Sequence, residues 1–206
     1  MTHTLHRKGT RESLNQDYVV LCMAAKNINE EGSDEKMREF LRIVLKHNAV
    51  NYGDMRTGNS FYCTPEEIIS KVSSTSIVHG VFTDKDTVSK VMKTLKKANL
   101  GMSVVVSGPF TSVEEACKEA GCKPHSIDYS AGVWGRTEKL AHPEILEVTT
   151  MCGHAMISAN LVEEIAKRIN AGVITSKEGA VELGRACCCG IFNHIRAEKL
   201  LKKLVN

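Results

Sequence analysis

The chain has 206 residues, of which 42% are hydrophobic and 25% charged, with a formal net charge of +3. This is the make-up of a globular protein with a full core, and the charge is too small to argue for nucleic acid or an anionic membrane. No apolar run approaches the roughly 20 residues needed to cross a bilayer, and Met1–Lys8 has no signal-peptide core, so a cytoplasmic protein is expected. In that reducing compartment the eight cysteines mean packing, metal ligation or catalysis rather than a disulfide framework.

Residues 1–17 are polar and carry His3, His6 and Arg7. A loose arm is the plainest reading. The alternative is an arm that folds over a pocket and supplies an imidazole or a guanidinium. Tyr18–Met23 is a continuous apolar run of strand length, which makes Cys22 a small core residue. Ser33 caps a helix whose apolar face is Met37, Phe40, Leu41, Val44 and Leu45. The polar loop Asn48–Ser60, with Asn51 and Arg56, is long for a compact domain and reads as a binding loop. Thr64-Pro65-Glu66-Glu67 is a capping box with proline in the first turn.

Ser76–Phe82 reads as a strand, Lys85–Ala98 as a helix and Met102–Val106 as a strand. Thr111–Glu114 reads as a second capping box, opening a short helix that stops at Gly121. His125–Val133 and Glu144–Met151 read as two further strands. A helix follows from Ser158 to Gly172, a third capping box at Thr175–Glu178 opens a helix through Ala186, and an amphipathic helix ends the chain. Strand–helix alternation predicts an α/β fold, with helices layered on a mixed or mostly parallel sheet and a helical C-terminal segment. One domain over 1–206 is expected, with an N-terminal part (1–75), an α/β core (76–151) and a helical cysteine-rich segment (152–206).

Four of the eight cysteines lie in two short stretches, Met151-Cys152-Gly153-His154 and Cys187-Cys188-Cys189-Gly190. If Cys152 ends a strand and precedes a helix, the free N–H groups of that helix favour its thiolate. Three readings follow. The first is a metal site, with Cys152, Cys187, Cys188 and Cys189 as ligands for zinc or an iron–sulfur cluster and His154 as a further donor. Adjacent cysteines on a regular helix diverge by about 100°, so all three can converge only on irregular backbone. The sharper expectation is that Cys152 meets at least one of them. The second reading is catalysis, with Cys152 as nucleophile or redox thiol and His154, His79 or His125 as base; with an open metal position, His154 would relay protons. The third is plain core packing.

A different class of function, a regulatory module that holds a small anion, would use Arg136 and the Asn51–Arg56 loop. A small-molecule ligand and a homo-oligomer fit any of these readings. A nucleic-acid or membrane partner fits none.

Overall fold

The structure is a computed structural model that describes residues 3–205. Its elements in chain order are α1 (Arg11–Leu14), β1 (Tyr18–Met23), α2 (Ser33–Lys46), β2 (Asn51–Asp54), β3 (Gly58–Asn59), α3 (Pro65–Lys71), β4 (Ile77–Phe82), α4 (Lys85–Ala98) and β5 (Ser103–Ser107). They continue with α5 (Phe110–Glu119), α6 (Pro143–Thr149), α7 (Ala159–Asn170), α8 (Ser176–Ala186) and α9 (His194–Leu204). Two of the three expected capping boxes form: Thr64 and Glu67 start α3, and Thr175 and Glu178 start α8, whereas Thr111 lies inside α5 and caps nothing.

The strands make one sheet in the order β3-β2-β4-β1-β5, and every pairing is antiparallel. This overturns the expectation of a mixed or mostly parallel sheet. The helical crossovers β1-α2-β2 and β4-α4-β5 do join strands that run the same way, but an antiparallel strand is inserted between the members of each pair. The result is the split βαβ arrangement.

The continuous apolar run in β1 misleads for a related reason. Such runs mark strands buried on both faces, a condition usual for parallel sheets. Here an antiparallel sheet meets it. Side chains alternate along a strand, so Tyr18, Val20, Cys22, Val78 and Phe82 pack against α2 and α4. Val19 and Val81 face the opposite way, into a second core with Ile145, Val162 and Leu183 of the C-terminal helices and Phe192 of the α8–α9 connection. His79 alternates with Val78 and so shares the face of Val81, towards that second core.

Two other expected strands are absent. Residues 122–136 are irregular and largely exposed. Most of the expected strand Glu144–Met151 is instead the helix α6, with Pro143 in its first turn and Ile145 and Val148 buried one turn apart. The β-branched residues suggested a strand, but their three-residue spacing is helical. Cys152 therefore follows a helix rather than ending a strand, and it stands six residues ahead of the Ser158 N-cap of α7. The helix α5 also begins at Phe110, ahead of the expected Thr111 cap, and its N-cap Pro109 makes no side-chain bond.

The N-terminal residues are held against the second core. Arg7 and Arg196 both pair with the buried carboxylate of Asp17, Arg196 at 2.9 Å. Arg196 also donates to the Lys8 carbonyl at 2.7 Å, and Asn193 donates to the Gln16 carbonyl at 2.7 Å. Among the described residues no helix is long and apolar enough to cross a membrane.

Candidate functional site: a buried cluster of thiols and imidazoles

The three-cysteine run lies just beyond α8, where Cys187 is the C-cap and the helix ends. The Gly190 N–H donates to the Cys187 carbonyl, closing a tight turn. Cys188 is exposed at this turn while Cys187 and Cys189 are buried. The sulfur atoms of Cys187 and Cys189 are 3.9 Å apart. The backbone is irregular, as convergence requires, but only two of the three thiols converge.

Two asparagines on the β2–β3 hairpin hold this segment in place. Asn59 donates to the Cys187 carbonyl at 2.7 Å, and Asn51 donates to the Phe192 carbonyl at 2.9 Å. The Asn51 carboxamide oxygen accepts from Ser60 and from the Tyr52 N–H, so this predicted ligand-binding side chain is spent on positioning. Gly190 has φ +78°, and a Cβ there would lie 2.5 Å from the Tyr52 carbonyl oxygen. Gly190→Ala is therefore expected to lower stability by at least about 2 kcal/mol, through left-handed strain plus a backbone clash. Urea denaturation measures this, and a loss below about 0.5 kcal/mol would mean the turn is not packed on β2 as described.

The other corner is the turn after α6. Cys152 is buried, and its thiol lies beside that of Cys187. Cys152 thus meets the three-cysteine run. His154 turns its Nδ1 to within 3.7 Å of the Cys189 sulfur. The imidazole nearest a thiol therefore serves Cys189 rather than Cys152.

The N-terminal arm, described from His3 onward, covers the cluster, which decides between the two readings of that arm; Met1 and Thr2 lie outside the described residues. The His3 ring stacks on His154 with centroids 4.9 Å apart, and its Nε2 lies 3.3 Å from Nε2 of His79. Arg7 donates to the Met151 carbonyl at 3.2 Å and to the Ile191 carbonyl at 2.7 Å. One guanidinium therefore ties together the backbone beside both cysteine corners. The amphipathic periodicity used to find helices carries no signal for an arm, or for Asn51, Asn59 and His79. The signal available for His79 was a lone polar residue inside an apolar strand.

The electrostatics favour neutral forms. The neighbouring Cys187 thiol, together with burial, holds the Cys152 thiol far above its usual range. The Cys152 thiol favours a thiolate at Cys187. The bond to Cys189 and burial outweigh it and push Cys187 up to about 12. Burial, with His3 and His154 nearby, lowers His79 to about 3; burial, with His154 and Arg7, lowers His3 to about 4. At neutral pH Cys152, Cys187, His3 and His79 are thus held in their neutral forms. Cys152 in that form is a poor nucleophile.

A cavity of about 340 Å³ adjoins the cluster, lined by His3, Cys152 and Gly153 and otherwise mainly by apolar and hydroxyl side chains of α6 and α7 and their flanks. The larger open cleft, of about 550 Å³, is lined by Asn27, Ile28, Glu30, Glu31, Gly32 and Ser74 and contains none of the thiols or imidazoles. Arg56 and Arg136 are both exposed, Arg136 within the irregular stretch after α5. His125 is likewise exposed and bonds Ser126.

No family model, curated protein or solved structure matches this chain. Among the described residues no three His, Cys, Asp or Glu side chains stand as a ready-made metal cage.

Proposed function

We propose that the chain is a zinc-binding protein, with Cys152, Cys187, Cys189 and His154 as ligands. The observation that carries this reading is the spacing of the donors. Tetrahedral zinc with bonds of about 2.3 Å to sulfur and 2.0–2.1 Å to nitrogen has ligand–ligand edges of about 3.8 Å for S···S and 3.5–3.6 Å for S···N. The Cys187–Cys189 and Cys189–His154 separations are 3.9 and 3.7 Å. The Cys152 thiol, beside that of Cys187, supplies the third sulfur. Side-chain rotation would close the set around the ion.

Three thiols and one imidazole suit zinc better than an iron–sulfur cluster, because Cys188 is exposed and does not serve as a fourth thiol. Four protein ligands make a closed site, whose contribution is to stability. The ion would fasten the α6–α7 turn to the α8–α9 turn. Binding must expel the thiol protons, so affinity is expected to fall steeply with acid.

Protein purified without oxygen should carry one equivalent of zinc. Cys187→Ser and Cys189→Ser should each lose it, while Cys188→Ser retains it. Metal analysis decides the matter: a brown protein with stoichiometric iron would replace zinc by a cluster. Metal-free protein that takes up no zinc would end the metal reading altogether.

A further inference from the structure

We propose that His3 and His79 form a second, separate subsite for a divalent transition metal of the zinc, nickel or copper class, one that uses imidazole alone. His79 lies in the middle of β4, opposite Leu21 on one side and Gly53 on the other, and is wholly buried. A buried polar side chain in the centre of a sheet needs a partner. Its Nε2 faces Nε2 of His3 at 3.3 Å, long beside the usual 2.9–3.0 Å of an N–H donor. Nitrogens on tetrahedral zinc at about 2.0–2.1 Å stand about 3.3–3.4 Å apart, which is this separation.

The second nitrogen of His79 adds to the case. Nδ1 is buried and, among the described residues, has no hydrogen-bond partner at proper geometry, while the backbone of Gly53 and Cys189 lies beside the ring. Those backbone groups favour the proton on Nδ1, which leaves the Nε2 lone pair directed at His3. This is the tautomer a metal-binding histidine adopts when a second group orients its ring.

His3 is oriented as well, by its stack on His154 and by the close approach of its backbone to Gly153. A Cβ at residue 153 would fall 1.7 Å from the His3 carbonyl oxygen. Imidazole donors select borderline first-row ions over calcium or magnesium. His3 also lines the 340 Å³ cavity. The remaining coordination positions would therefore open towards space for water or a small exogenous ligand, as in a catalytic rather than a closed site.

This subsite does not rest on the thiol site, and cobalt(II) tells the two apart. Thiolate ligation to cobalt gives intense near-ultraviolet charge-transfer absorption, whereas imidazole ligation does not. Metal-free wild-type chain titrated with cobalt(II) chloride should bind two equivalents, only one of them with that absorption. His3→Ala, an arm substitution that leaves the sheet intact, should weaken the non-absorbing equivalent by at least about tenfold and keep the absorbing one. Cys189→Ser should do the reverse. His79→Gln, with its fold checked by circular dichroism, should match His3→Ala. A missing second equivalent in the wild type, or one that survives His3→Ala unchanged, overturns the proposal. Loss of the absorbing equivalent alone would fail the thiol reading and leave this one standing.

Discussion

Asp17→Ala is expected to cost about 3–5 kcal/mol of folding stability, among the largest effects of any single substitution in the chain. The carboxylate is buried between two guanidiniums, those of Arg7 and Arg196, and also accepts from Asn193 at 3.2 Å. Removing it leaves two like charges facing each other without water, and burial already disfavours the charged form of Arg196. Glu147, at 3.5 Å from Arg196, is too distant a partner to compensate.

Glu39→Ala, which breaks an exposed pair on α2, should by contrast cost less than about 1 kcal/mol. Urea denaturation of the two variants makes the comparison, and a loss for Asp17→Ala no larger than that for Glu39→Ala would refute the buried-charge account. The damage should also reach the cluster, because Arg7 holds the Met151 and Ile191 carbonyls beside Cys152 and Cys189. Zinc uptake by Asp17→Ala is expected to weaken along with its stability.

The second large effect is acid sensitivity of the metal-free protein. His79 has an ordinary value of 6.5 and is lowered to about 3 in the fold, first by burial and then by its imidazole neighbours. Between those values the unfolded chain binds a proton that the folded chain refuses. Stability is thus intact above pH 6.5 and falls as the pH drops towards 3. From pH 7 to pH 5 this one group accounts for about 2 kcal/mol, at 1.36 kcal/mol for each unit. His3 shifts in the same direction and adds a smaller share, since its ring is only half buried and solvent screens it. Urea midpoints for the metal-free chain at pH 7 and pH 5 should therefore separate, and His79→Gln should narrow the gap. Equal narrowing in a control such as His142→Gln, on an exposed histidine, would place the effect elsewhere.

Several elements were legible because their signals are local. Tyr18–Met23 and Lys85–Ala98 coincide with β1 and α4, and the Thr64 and Thr175 capping boxes start helices where their side-chain chemistry requires. The meeting of Cys152 with the three-cysteine run was also expected. So was the divergence of adjacent cysteines, which leaves Cys188 outside. Sheet direction was not legible, because strand–helix–strand order says which strands run parallel but not whether a third strand lies between them. The helix α6 was missed because seven residues rich in β-branched side chains carry too short a period to separate the two structures.

What the sequence by itself determined is the set of local choices: where caps, breaks and apolar faces fall, and that two cysteine-bearing turns hold half the thiols. Each depends on chemistry within a few residues. Only the tertiary structure decided that the sheet is antiparallel and covered on both faces. The same packing folds His3 over His79 and His154, turns Asn51 and Asn59 into clamps on the 187–192 segment, and joins Arg7 to Asp17 and Arg196. These contacts join residues far apart in the chain, and their energy comes from burying polar groups with their partners. No periodicity within one segment encodes that pairing.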